Sequence, residues 1–600
     1  MADLQDHVDV LIVGGGPTGL TLACELARRG VSTRVIDRST DFHRQSRGKG
    51  IQPRSLEILD DLGVVREFQD SATAEMPARI YTGTRFVAEL HLLAGIEPRP
   101  DVPYPSLVLL PQWRTEQILR DRLASWGVRV ELGLQLVGLR QSDHDVEVEV
   151  AEVATGVRRT IYTSYVVGCD GGGSTVRRCA GISFPGLVSE TERYLLGDVE
   201  VDGLARDASY VWYGEDQSSV GLALLPGTNA WQFGLTVRPG EEGAGEEPSL
   251  ELFQRLFEQR TGRRDVRLHD ATWLSHFSYK VRLADRYRAG RVFIAGDAAH
   301  VHPIAGGLGM NTGIQDAYNL GWKLALAVQG RAPESVLDTY EQERRPVAES
   351  VLRTSGASMT ALFSTKPLMT LLRDKVVLPL LRLPAVTRAL VGKTSQLDVN
   401  YRKSVLSAHG KRRRGRVRAG DRAPDACLDA STGEQARLFD VFRGTHFTLL
   451  QFGAIDTEFA DRIEELFGDD VHVRHVLRVS APAAGTAARV LLGAAHRTYR
   501  ASRGELILIR PDGYVALRSP RGGGDAVIKY LSTLLIETSS AAGDVRRRTG
   551  DHRGGGVGTG GGDLKAGSGV PDPAHGSFVD TTAGLRRIDA NRGAFGRDAP

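Results

Sequence analysis

The chain has 600 residues, room for roughly three or four ordinary domains, and is 41% hydrophobic and 25% charged. Lys and Arg total 76 against 73 Asp and Glu, a net charge of +3, so nothing in the balance calls for nucleic acid or a membrane. Cys24, Cys169, Cys179 and Cys427 lie far apart without a CxxC pair, which argues against a disulfide framework or a metal site and fits a reducing cytoplasm.

MADLQDH runs straight into the apolar VDVLIV, so no export signal is expected, and the apolar stretch near Val376–Val391 is broken by Pro379, Arg382, Pro384 and Arg388. Val8–Val13 reads as a buried strand, Pro17–Arg29 as a helix and Thr33–Ile36 as a second strand, together a βαβ unit. Arg114–Trp126 is an amphipathic helix, followed by strands at Val128–Leu132, Val146–Val150 and Tyr165–Gly168. Between Tyr194 and Val237 the period changes to two, in runs such as VGLALL and WQFGLTV, which predicts an inserted antiparallel sheet. Val292–Ala295 returns to a short buried strand, a helix covers Asn311–Val328, and helices continue to about Leu406. The basic run Lys411–Arg418 is a short charged linker rather than a nucleic-acid site. A third domain covers 419–540, and the Gly-rich 541–600 has no apolar period and is expected to be a disordered tail.

Gly14, Gly16 and Gly19 follow a strand and open a helix, the context in which GxGxxG binds a dinucleotide. Two glycines admit a pyrophosphate, the third lets helix and strand pack, and the helix start offers unpaired N–H groups to phosphate. Asp37, about 20 residues on, ends the second strand and is placed for ribose hydroxyls. Two further signals follow in order: Asp170-Gly171 after a strand, and Gly296-Asp297 after another, leading into HVHPIAGGLGMNTGIQDAYNLGWKL.

That order resembles the class A flavoprotein aromatic monooxygenases, which have the para-hydroxybenzoate hydroxylase fold. The likeness covers about Val8–Leu406 and is greatest to the subgroup with a C-terminal thioredoxin-like domain, which includes phenol hydroxylase and aromatic polyketide hydroxylases. The resemblance implies an α/β fold: a Rossmann-like FAD-binding domain in two parts, 1–190 and 286–410, an inserted antiparallel substrate domain at 191–285, and the thioredoxin-like domain at 419–540. It implies FAD and NAD(P)H as cofactors, O2 and an aromatic small molecule as substrates, and a C4a-hydroperoxyflavin as the electrophile. Asp297 would bond the ribityl chain, Pro303 would lie near C4a, and Gly309, Met310 and Asn311 would sit under the pyrimidine edge. Gln112 matches a ribitol contact, Arg47 an arginine close to the cofactor, and Asp170, with Arg177 and Arg178 after it, a segment serving the cofactors. Gln52 and Arg54 begin the next helix. Where some phenol hydroxylases carry a carboxylate that helps deprotonate substrate, this chain has Lys49, which puts a dedicated base in doubt.

Tyr210, Trp212, Leu222, Leu224, Trp231 and Phe233 alternate along the inserted strands and are candidate substrate contacts, although such aromatics also form plain sheet core. His300 and His302 have no carboxylate cluster and make a poor metal pair. The third domain lacks CxxC, so it reads as a scaffold or homodimer contact rather than a redox module. The same fold could also serve an antibiotic-inactivating monooxygenase, a reductase or a halogenase, or a flavin-binding protein without turnover. The intact flavin motifs argue against the last.

Overall fold

The computed structural model describes residues 7–536, apart from 43, 45, 47, 74–75, 92–98, 214–218, 238–239, 242, 244, 302–306, most of 364–391, 409–416, 429–435, 454, 478–489 and 493. The predicted tail and most of the basic linker lie outside the described residues, as do Arg47, His302 and Pro303.

Three larger sheets organise the chain. In the first, His7–Val13 lies between parallel neighbours Arg158–Gly168 and Thr33–Asp37, and the parallel set extends to Val292–Ile294 on one side and Val130–Leu132 on the other. Central strands such as Val10–Ile12 and Val166–Val167 are fully buried, as expected of a parallel sheet covered on both faces. The helix Pro17–Ala27 crosses one face and packs against the helix Leu308–Val328.

The second sheet has eight strands and is dominated by two seventeen-residue strands, Gly186–Asp202 and Arg267–Leu283. It is antiparallel except where Ser209–Tyr213 runs parallel to Ala78–Thr82. Ala78–Thr82 and Arg85–Leu90 therefore belong to this sheet, as does His300–Val301, so it is not built from a contiguous 191–285 segment. A parallel pairing between remote segments leaves no turn signature for sequence reading to detect.

In the third sheet Phe447–Phe452 pairs in parallel with Val471–Leu477 and antiparallel with Leu506–Ile509, which turns into Val515–Ser519. A helix, Thr457–Phe467, joins the parallel pair, and Gly524–Leu534 follows the hairpin, a thioredoxin-like arrangement without cysteines in it. This domain shares one continuous apolar core with the first sheet, and Phe447 meets Trp322 of the helix Leu308–Val328 edge-on at 5.7 Å. Among the described residues no helix is long and apolar enough to cross a membrane.

Candidate active site

Thr18 of the first helix is wedged between Gly296, in the Asp297 turn, and Gly313, in the helix Leu308–Val328. A Cβ on Gly296 would lie 2.5 Å from Thr18 Oγ1 and one on Gly313 2.3 Å from the same atom, so both positions must be glycine for the first helix to approach. Gly14 has φ +112°, and a Cβ there would lie 2.3 Å from the Cys169 carbonyl oxygen, which brings the segment before Asp170 against the first turn. A Cβ on Gly19 would meet the Gly14 carbonyl oxygen at 2.0 Å, whereas one on Gly16 meets nothing within 4 Å. Gly14 and Gly19 thus serve close packing, and Gly16 leaves the mouth of the turn open.

A cleft of about 650 Å3 opens there, lined by Gly14–Gly16, Asp37, Gln112 and Asp170. The helix Pro17–Ala27 starts on Gly16 with no side-chain cap and no acidic residue in its first turn, so its free N–H groups face the cleft with a positive dipole end. Asp37 accepts from the Gly15 N–H at 2.7 Å and from the Ser39 N–H at 2.8 Å, fixing the turn. One oxygen of Asp170 accepts from the Thr175 and Val176 N–H groups at 2.6 and 3.2 Å; Oδ1 is buried with no hydrogen-bond partner. Gln112 accepts from the Gly48 N–H at 3.0 Å and donates to Glu116 at 2.9 Å. An anion-seeking helix start, an orphaned buried carboxylate oxygen and a glycine cradle open to the cleft fit a dinucleotide.

The flavin end is built on the next turn. Asp297 is exposed in the short turn Gly296–Ala298, which Asp316 holds by accepting the Gly296 N–H at 3.2 Å. Asp316 also bonds His300 Nε2 at 2.6 Å and accepts from Arg344 Nε at 2.7 Å, all three side chains being fully buried. Burial works to raise the Asp316 carboxyl, but Arg344 and His300 outweigh it and hold it low. His300 thus belongs to a structural network. Gly307, at φ +60°, caps the helix that carries Gly309, Met310 and Asn311. The Asn311 side chain accepts from the Gln52 N–H at 2.8 Å and donates to the Gly50 and Gly307 carbonyls at 2.7 Å each, so it stitches this loop to the strand Gly50–Ile51.

Several expected roles need correction. Tyr210, Trp212, Leu222, Leu224, Trp231 and Phe233 are all buried, at 4% exposure or less, against the helix Leu250–Thr261. Trp212 meets Phe257 at 5.3 Å and Phe233 meets Phe253 at 4.9 Å, so this is the sheet's core face and not a cleft wall. The alternation marked a buried face but could not say which partner buries it. Arg177 is buried too: it donates to the carbonyls of Ala298 and Gly172 at 2.8 and 3.0 Å and stacks over Phe184, so it ties the two Asp-bearing turns together instead of offering a free cation. Arg178 stays near the surface, donating to Gly173 and Thr175. Arg54 points away from the cleft, to Glu57 at 2.7 Å and the Asp512 carbonyl at 2.6 Å.

A polar cluster that sequence reasoning did not assemble lies on the sheet's other face. Asp198 is 2% exposed, and Lys49 Nζ donates to Gln232 at 2.9 Å beside it. Burial pushes the Asp198 carboxyl up to about 6, against hydrogen bonds from Trp273 and Ser46 and the charge of Lys49, and pushes the Lys49 ammonium down to about 8, against the charge of Asp198. A carboxylate inside the apolar run YLLGDVEV was the available signal.

The fold and cleft describe a flavin enzyme of the aromatic-ring hydroxylase type, and comparison with known proteins agrees. Residues 7–355 match the FAD binding domain family and 416–536 the aromatic-ring hydroxylase C-terminal family. A flavin-dependent monooxygenase of Mycobacteroides abscessus is 41% identical over 532 residues, covering 88% of this chain and 100% of the relative. The pentachlorophenol 4-monooxygenase of Sphingobium chlorophenolicum is 32% identical, covering 88% and 96%. The structure of an anhydrotetracycline hydroxylase from Streptomyces rimosus superposes with a TM-score of 0.70 at 30% identity, covering 88% and 99%. The chain belongs to the class A flavoprotein aromatic monooxygenases and is an FAD-dependent monooxygenase.

Proposed function

We propose that the protein uses NAD(P)H and O2 to hydroxylate a phenolic or polycyclic, polyketide-like aromatic substrate in a reducing cytoplasm. The observation that carries this reading is the Thr18 wedge between Gly296 and Gly313, which brings the dinucleotide turn, the Asp297 turn and the helix starting at Leu308 together. Relatives named for pentachlorophenol and anhydrotetracycline support the substrate class.

Gly14, Gly16, Gly19 and Asp37 would hold the adenosine half of FAD, with Asp170 and Gln112 alongside. Asp297 would hold the ribityl chain, and the N–H groups of Gly309, Met310 and Asn311 the pyrimidine edge. Arg47 and Pro303, outside the described residues, complete the proposed set. When bound there, FAD supplies the electron transfer from NAD(P)H and the activation of O2 by which one oxygen atom reaches the ring. The start of the helix Leu308–Val328, where no side chain bonds the first N–H groups, favours negative charge on whatever lies against it. The surrounding chain orients the ring and excludes water, which would otherwise divert the oxygen to peroxide.

The test is turnover of FAD-loaded protein under 18O2 with a panel of phenols and tetracyclic aromatics. One labelled oxygen per product is expected. Peroxide as the sole oxygen product across the panel, or an unlabelled product as from a reductase or halogenase, would overturn the reading.

A further inference from the structure

The face of the second sheet turned away from its helix carries a cross-strand row. Ala223 pairs with Gln232, Gln232 with Asp198, and Asp198 with Trp273. The loop before Gly50 lies against this row: Lys49 Nζ donates to Gln232 Oε1 at 2.9 Å, and Gln232 Nε2 donates to the Ser46 carbonyl. The same loop is anchored at the flavin end. Gly48 N–H reaches Gln112 at 3.0 Å, Leu110 N–H reaches the Lys49 carbonyl at 2.7 Å, and a Cβ on Gly48 would meet Met310 Cε at 3.4 Å. Lys49 therefore stands between the sheet and the first turn of the helix Leu308–Val328.

Its surroundings are unusual for a sheet face. Trp273 and Ser46 hydrogen-bond to the buried Asp198 carboxyl there. Lys49 is half-buried, and Gln232, a neutral amide, takes one of the three donors of an ammonium. Asp198 supports the ammonium by its charge from behind, and a further oxygen partner would take donors that Gln232 does not.

We propose that Lys49, positioned by Gln232 with Asp198 behind it, binds the ionised hydroxyl oxygen of a phenolic substrate and so selects hydroxylated rings over their ethers. The proposal rests on the hydroxylase reading and names its substrate chemistry. The ammonium remains mostly protonated at neutral pH even though burial lowers it to about 8. Holding the anion also leaves the ring richer in electrons at the carbons ortho and para to the oxygen, where an electrophilic oxygen would be accepted.

The experiment is a 19F NMR titration of full-length, FAD-loaded protein with pentafluorophenol, which is ionised at neutral pH, and with pentafluoroanisole, its uncharged ether. Wild type should prefer the phenolate by about tenfold or more. Lys49→Met should bring the two affinities near parity with flavin content unchanged, and Lys49→Arg should retain most of the preference. A preference that survives Lys49→Met, or its absence in wild type, overturns the role of Lys49 and leaves the hydroxylase reading standing, because 18O incorporation measures that separately.

Discussion

Arg510 donates to both carboxylate oxygens of Glu343, at 2.6 and 2.9 Å, and neither side chain is exposed to solvent. Arg510 follows a strand of the third domain, whereas Glu343 lies on the helix Asp338–Phe363 that packs on the helix Leu308–Val328. Asn319 and Lys323 of the latter donate to the same carboxylate at 2.7 Å each, and Arg510 pairs in turn with Asp512. The turn Arg510–Gly513 also supplies carbonyls to Arg54 and Tyr318. The third domain is thus joined to the back of the helix that begins at the flavin site.

Breaking a buried ion pair by neutralising one partner leaves the other charge uncompensated, so Glu343→Gln should cost about 3–5 kcal/mol, read from urea unfolding at neutral pH. Burial works to raise the Glu343 carboxyl, but Arg510 and Lys323 hold it well below the ordinary range. A carboxyl depressed in the folded state contributes stability above its unfolded value of about 4.3 and loses it as pH falls through the folded value. The gap between wild type and Glu343→Gln should therefore be full near neutrality and narrow progressively below about pH 4. A gap independent of pH would show that Glu343 is not held ionised.

The glycines should separate by what surrounds them. An alanine Cβ at Gly19 would meet the Gly14 carbonyl oxygen at 2.0 Å, so Gly19→Ala should lower the melting temperature of the flavin-free protein. At Gly16 the same Cβ enters open space, so Gly16→Ala should melt like wild type without flavin and bind FAD more weakly. Equal FAD affinity in Gly16→Ala, measured by flavin fluorescence, would remove Gly16 from the cofactor site.

Phe233, fully buried against Phe253, should behave as core. Phe233→Ala is expected to cost about 3–5 kcal/mol in unfolding free energy. The KM for an aromatic substrate should be unchanged in the fraction that stays folded. A large KM change with little loss of stability would return this face of the sheet to the substrate.

The sequence by itself determined the dinucleotide turn, its βαβ setting and the two later Asp-bearing turns. These are local: glycine spacing, strand ends and apolar period are carried by contiguous residues, and Gly14, Gly19 and Gly296 each occur where a Cβ would collide. Tertiary structure alone decided which face of the second sheet packs on the helix Leu250–Thr261, since period two reports alternation and not the partner on either side. It placed Ala78–Leu90 in that sheet, turned Tyr210, Trp212 and Phe233 to the helix, and left Asp198 and Gln232 to meet Lys49. It also committed Arg177 to two carbonyls and Arg510 to Glu343. The partners of a buried charge come from segments remote in the chain, and no local pattern can name them before the chain has folded.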